Sequence, residues 1–305
     1  MKKAVLLMIA VCMLFSFAAC QSASTDRTGL TVAVGIVPEA TFVEKVAGDL
    51  VNIVTLVPPG NSPANYQPTT AEMQALSDAA VYFTLQMPAE EANILPKVSD
   101  LNEDIIVVNL RDAVGEVYPM RHMEAHSHDK EGGEHEEDEH DHDKAETVDP
   151  HLWLSPKRAI VMVQTIADEL SAIDADNRNT YQNNAADYIA ELTQVDGEIQ
   201  EAVSAIDNAS FLIYHPAYGY FADDYGLTMI AIEIAGKQAT AAELQGVIDY
   251  AHQNNINTVY YQEEFDDRQA QTVAEEIGGG AAKVAPLSPD YIQGLRDFAA
   301  ALTGE

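Results

Sequence analysis

Between Ser155 and Ile206 every β signal disappears, while apolar residues at Tyr181, Ala185, Tyr188, Ile189, Leu192, Val195, Ile199, Val203 and Ile206 advance by threes and fours. That spacing predicts one long amphipathic helix over 176–207. On both sides of it short apolar runs alternate with helical spacing. Before it come strands over 30–37, 51–57, 80–85 and 105–108, with helices through Phe42, Val43, Val46 and Ala47, over 70–77 and over 89–98. After it come strands over 211–214, 228–234, 258–261 and 283–286, with helices over 241–253 and 267–277. Strands alternating with helices imply mostly parallel sheets covered on both faces. The expected fold is therefore α/β, with lobes at 29–175 and 208–305 joined by the long helix. The cleft between two such lobes is where a small ligand is expected.

A chain of 305 residues that is 47% apolar can bury cores of this size. Its charge constrains the ligand. With 16 basic against 49 acidic residues the formal net charge is −33, which repels nucleic acid and attracts cations. Both cysteines lie within the first twenty residues, so a disulfide framework and a cysteine-based zinc ribbon are excluded, and a metal must be held by nitrogen and oxygen. Lys2 and Lys3 precede an apolar run from Ala4 to Ala18, too short for a membrane span but suited to a signal peptide over 1–19. The run ends Phe17-Ala18-Ala19-Cys20, which resembles a bacterial lipobox. Cleavage before Cys20 would leave that residue to carry lipid and 20–28 to act as a tether. The mature protein is then expected outside the cytoplasm, anchored to the bacterial cell membrane, facing either the exterior or a periplasm.

Six of the nine histidines, His122, His126, His128, His135, His140 and His142, fall within 121–146 among Glu134, Glu136, Glu137, Asp138, Glu139, Asp141 and Asp143. So polar a stretch cannot pack a core and reads as a loop of the first lobe. Imidazole suits zinc, copper and nickel, and the carboxylates concentrate cations, so weak multi-site metal capture is expected there. His151 and His215 stand in stiffer contexts, the first between Pro150 and Pro156 and the second directly after a strand, before Pro216. Strand ends are where ligands meet open α/β sheets. His252 reads as a surface residue.

The segments Asp-Pro-His-Leu-Trp-Leu-Ser-Pro at 149–156 and His-Pro-Ala-Tyr-Gly-Tyr-Phe at 215–221 resemble two signatures of the zinc and manganese solute-binding lipoproteins of ABC importers, the ZnuA/TroA-like family. The similarity extends to Pro-Pro-Gly-Asn-Ser-Pro at 58–63, Gly236-Lys237-Gln238, the histidine-rich loop and the lipobox. It implies a monomer of two lobes bridged by a rigid helix, metal held between the lobes, and permease and ATPase subunits as partners. The expected cargo is Zn²⁺ rather than Mn²⁺, because imidazole dominates the donors.

Two family ligand positions are altered. Where the family commonly carries Pro-His-x-Tyr-Glu-Pro this chain has Pro63-Ala64-Asn65-Tyr66-Gln67-Pro68, and Ala285 precedes Pro286-Leu287 where an aspartate is often found. His151 and His215 alone would leave a tetrahedral ion half coordinated by protein. A loop histidine, His122 first, a carboxylate such as Glu39, Glu90, Glu233, Glu263 or Asp290, or water is expected to complete the shell. Two other functions compete with transport. A surface lipoprotein could buffer zinc or mediate adhesion through its loop. A zinc hydrolase would need a general base beside the histidines, and neither an H-E-x-x-H helix nor a G-x-S-x-G elbow occurs.

Overall fold

The computed structural model describes residues 29–123, 147–204, 206, 210–233, 236–265 and 267–304. The expected signal peptide, Cys20, the tether, and His126, His128, His135, His140 and His142 lie outside the described residues. The first lobe runs β1 (Leu30–Val34), α1 (Val37–Ala47), β2 (Val51–Thr55), α2 (Thr70–Ser77), β3 (Val81–Thr84), α3 (Pro88–Asn93), α4 (Val98–Leu101), β4 (Ile106–Asn109) and α5 (Leu110–Gly115). A two-stranded antiparallel stem, β5 (His122–Met123) with β6 (Thr147–Val148), leads to α6 (Pro156–Ile173) and the connecting helix α7 (Arg178–Ser204). The second lobe runs β7 (Ser210–Ile213), α8 (Gly219–Tyr225), β8 (Thr228–Ala231), α9 (Ala241–Gln253), β9 (Thr258–Gln262), α10 (Arg268–Glu276), β10 (Gly280–Val284) and α11 (Tyr291–Thr303).

The sheets are ordered β2-β1-β3-β4 and β10-β9-β7-β8, and every pairing is parallel. Counted from its own first strand, each lobe has the same order. In each, the chain leaves the first strand toward one edge and then returns to build the other, creating a switch point at the carboxyl end of that strand. Alternate residues of the strands serve different cores. Val34, Val81 and Phe83 join a large cluster that includes Trp153, Ile166, Leu192, Phe211, Ile213 and Phe298, so one core runs through both lobes. Ala33 and Tyr82 face a smaller cluster with Leu56 and Leu76, and Leu212 and Val259 face another with Ile232 and Val273. On α7, Tyr181, Ala185, Tyr188, Leu192, Val195, Ile199 and Val203 are buried, the stripe that the spacing in the sequence requires. Among the described residues no helix is long and apolar enough to cross a membrane.

Some boundaries move for identifiable reasons. The single helix expected over 89–98 is broken into α3, a 3-10 turn at Leu95–Lys97 and α4, because Pro96 has no N–H to continue the ladder. The last strand lies at Gly280–Val284, upstream of the expected 283–286. Its Gly-Ala-Ala start has little β preference, and the parallel register with Thr258–Gln262 supplies the pairing instead.

At the carboxyl ends of β1 and β3 the first turns of α1 and α3 fold back on themselves. Glu39 Oε2 accepts the Ile36 N–H at 2.9 Å, Glu90 Oε2 accepts the Met87 N–H at 2.7 Å, and the Tyr82 hydroxyl donates to Glu90 Oε1 at 2.5 Å. Both carboxyls converge on Gly35, where a Cβ would come within 2.3 Å of Glu90 Oε1 and 2.9 Å of Glu39 Oε2. Both are completely buried, and burial raises the pKa of each, with the Glu90 charge raising Glu39 further. The folded state therefore holds protons that the unfolded chain releases near the ordinary glutamate value of 4.5. Stability is expected to fall as pH rises above that value, by about 1.4 kcal/mol per pH unit for each carboxyl still protonated in the fold. Glu39→Gln should flatten the profile. Urea unfolding from pH 5 to 9 measures both, and identical slopes for the two proteins would show that Glu39 is already ionised in the fold.

Candidate metal centre

His151 is placed by a stiff connection. Asp149 and Pro150 lead into a 3-10 turn at Leu152–Leu154, and Ser155 caps α6 by accepting the Arg158 N–H at 3.2 Å. The turn is pinned to the second lobe, since Trp153 Nε1 donates to the Pro286 carbonyl at 2.8 Å and the Tyr291 hydroxyl donates to the Trp153 carbonyl. Asp149 Oδ1 lies 2.7 Å from His151 Nδ1 and also accepts the His151 backbone N–H at 3.0 Å.

His215 follows β7, at the switch point of the second sheet. The ladder between β7 and β8 continues one step past the strands, with the Glu233 N–H donating to the Tyr214 carbonyl at 2.8 Å. This brings Glu233 Oε2 to 2.5 Å from His215 Nδ1. From the end of β9, Gln262 donates to the His215 carbonyl at 2.7 Å and accepts the His215 N–H at 3.3 Å. Phe265 stacks on the imidazole with centroids 4.6 Å apart and planes at 21°.

The two rings meet Nε2 to Nε2 at 3.2 Å. Each Nδ1 faces a carboxylate, an arrangement that favours the Nδ1–H tautomer in both rings and so turns Nε2 lone pairs toward each other. Two lone pairs at that separation repel unless an electrophile is shared between them. Zinc–nitrogen bonds of about 2.0–2.1 Å in a tetrahedral shell put neighbouring nitrogens about 3.3 Å apart, so the pair already forms one edge of such a shell. The pKa of His215 is lowered, first by burial and further by the neighbouring His151, against the opposing pull of Glu233. That keeps its lone pair available to a cation at neutral pH.

None of the other described sequence candidates joins the two Nε2 atoms as a third donor. His122 is exposed on β5, in register with Val148, and Glu263 is exposed and paired with Lys283 at 3.1 Å. Glu233 reaches the centre through the Nδ1 side of His215, so it orients a ligand where a ligand role was expected. Glu39 and Glu90 are committed to the first turns of α1 and α3, and Asp290 accepts the Gln293 N–H as the cap of α11. Ala64 and Ala285 are exposed, and His252 is exposed in the last turn of α9. Among the described residues no three His, Cys, Asp or Glu side chains converge on one point. The sequence reading missed Asp149, Gln262 and Phe265 as parts of the site. Only Asp149 carried a signal, standing two residues before His151 across a proline.

The family model described as zinc-uptake complex component A, periplasmic, matches residues 32–304. The zinc-binding lipoprotein AdcA of Streptococcus pneumoniae is 32% identical over 295 residues, which is 94% of this chain and 56% of that protein. The chain thus spans about half the length of that relative. The high-affinity zinc uptake system protein ZnuA of Bacillus subtilis is 29% identical over 289 residues, covering 90% of this chain and 85% of that protein. A crystal structure of a ZnuA deletion mutant with zinc bound superposes with a TM-score of 0.79 at 31% identity, over 90% of this chain and 97% of that one. With the family match extending over both lobes and the connecting helix, the chain belongs to the zinc-uptake component A (ZnuA) family.

Proposed function

We propose that this protein is the extracytoplasmic receptor of an ABC metal importer, taking Zn²⁺ between His151 and His215 and delivering it to the permease. The observation that carries this reading is the pair of carboxylate-anchored imidazoles with Nε2 atoms 3.2 Å apart. Carboxylate–histidine–metal geometry orients each ring and raises its basicity. Nitrogen donors favour zinc over manganese, which prefers oxygen. Among the described residues only these two nitrogens converge, which leaves further positions of the shell open to water and few protein–metal bonds to break on delivery. A lipid on Cys20 holds the monomer at the membrane, and the charge and imidazoles of the histidine-rich segment 121–146 attract cations. The family model describes a zinc-uptake component, and the two relatives are named as a zinc-binding lipoprotein and a zinc uptake system protein, which supports transport over catalysis.

Isothermal titration of the full chain and of a form lacking 124–143, with Zn²⁺ and with Mn²⁺, tests this reading. One tight zinc site is expected to survive the deletion, with manganese bound more weakly. Loss of all tight binding on deletion would transfer the metal to the histidine-rich segment and make the surface zinc-buffering lipoprotein the better description.

A further inference from the structure

Behind His151 lies a chain of contacts that neither the fold nor the ligand pair requires. Asp149 is almost fully buried, and its Oδ1 is taken by the ring and the backbone N–H of His151. Its Oδ2 is buried without a hydrogen bond, and the Arg121 guanidinium approaches it, Nε at 3.5 Å. Arg121 is held from its far side by Asp223, whose two carboxylate oxygens accept from Nη1 at 2.8 and 2.9 Å. Its backbone is held as well: the Asp149 N–H donates to the Arg121 carbonyl at 2.8 Å, and the Arg121 N–H donates to the Tyr220 hydroxyl at 3.1 Å. That same hydroxyl donates to the Asp149 carbonyl at 2.9 Å. Main chain and side chain of Arg121 thus both fix Asp149.

The first residue of α8 makes room for this arrangement. A Cβ at Gly219 would come within 2.3 Å of Arg121 Nε, 2.7 Å of Arg121 Cδ and 2.7 Å of Asp149 Oδ2. Any side chain there would push the guanidinium off the carboxylate. A lone buried carboxylate oxygen with a single cation beside it is costly to leave unpaired. Without Arg121 the carboxylate would turn toward other donors and release His151 Nδ1.

We propose that Arg121 is a positioning residue for zinc capture, acting through Asp149 to keep His151 in the Nδ1–H tautomer with Nε2 aimed at His215, and that Gly219 is the opening through which it acts. This rests on the zinc-receptor reading for its consequence but not for its geometry, so the test has one arm with metal and one without. In metal-free protein, long-range ¹H–¹⁵N spectra of the imidazoles report the tautomer of each ring. With metal, competition against a chromophoric chelator reports zinc affinity, and the Co²⁺ absorption spectrum reports coordination geometry.

Arg121→Met, which keeps the aliphatic stem, is expected to mix the His151 tautomers while leaving those of His215 unchanged, and to weaken zinc by about tenfold. Gly219→Ala should reproduce both effects, Arg121→Lys should restore part of the affinity, and Asp223→Ala should have a smaller effect. An unchanged His151 tautomer in Arg121→Met would overturn the proposal whatever the affinity did. So would equal losses in Arg121→Met and Asp223→Ala accompanied by equal drops in melting temperature, the signature of a latch that only holds the lobes together. If the unaltered protein bound no zinc through His151 and His215, the receptor reading would fail while the tautomer arm still decided the role of Arg121.

Discussion

Replacing His151 or His215 by alanine is expected to weaken zinc binding at least about a hundredfold, and the double variant should lose the tight site altogether. The magnitude follows from sharing the roughly 10–16 kcal/mol of a four-ligand zinc site among its ligands, with each 1.4 kcal/mol worth a factor of ten. Two features make the loss large here. The Nε2 atoms lie 3.2 Å apart, and among the described residues no third His, Cys, Asp or Glu side chain joins them to replace a missing nitrogen. Each ring is also anchored at Nδ1 by a carboxylate, Asp149 or Glu233, and removing a ring strands that buried charge. Glu233→Gln, which preserves shape and removes the charge, should cost less, about tenfold. Competition titration of the form lacking 124–143 measures all four proteins against one background. A double variant that still bound one zinc tightly would place the ligands elsewhere and remove the central support for a receptor of this design.

The largest loss of stability is expected from Asp224→Ala, about 3–5 kcal/mol, because it abandons a buried arginine. Arg158 Nη1 donates to both oxygens of Asp224 at 2.7 and 2.9 Å and contacts Ser155 Oγ at 3.2 Å. The Ser155 hydroxyl also donates to Asp224 Oδ2. The guanidinium lies over the Tyr220 ring at 4.4 Å and near Tyr118 at 5.3 Å, and its side chain is only 5% exposed, so water cannot replace the lost carboxylate. Replacing both partners by apolar residues, Arg158→Met with Asp224→Leu, should recover much of the loss, since no unpaired charge then remains. Urea unfolding of the single and double variants measures this, and a loss below about 1 kcal/mol in Asp224→Ala would show that solvent reaches Arg158 after all. The pair matters to the site as well. It ties the start of α6, and with it the turn that carries His151, to α8, which begins four residues after His215.

How much of this was legible beforehand varies with the range of the interaction. The long helix was readable to within a few residues because its stripe from Tyr181 to Val203 repeats over many turns, and a repeated period survives local exceptions. The single helix expected over 89–98 is broken near Pro96, and the strand expected over 283–286 lies at Gly280–Val284, since short elements take their limits from a single proline or from a partner strand far along the chain. His151 and His215 stand in stiff, proline-flanked contexts, and it is the family resemblance of the segments around them that marks them as expected metal ligands. The carboxylates expected to complete the shell were not sorted correctly. Glu39 and Glu90 turn out to serve helix starts, Glu263 a surface ion pair, and Glu233 the far nitrogen of His215. Nothing along the chain separates these roles, because a glutamate has the same chemistry in each and only its neighbours differ.

The sequence by itself determined the α/β class and the two-lobed plan, which depend on periodicity, and it singled out His151 and His215 through the family resemblance of the segments around them. Only the tertiary structure decided that these histidines, 64 residues apart, meet Nε2 to Nε2. It also decided that Glu233 anchors one ring, that Arg121 stands behind the carboxylate anchoring the other, and that Gly219 leaves the space for it. The physical reason is that parallel pairing sets which strand ends lie side by side, through registers such as Ile213 with Ala231 and Ile213 with Tyr260. Those registers are selected by the packing of the whole core, to which no single segment holds the key.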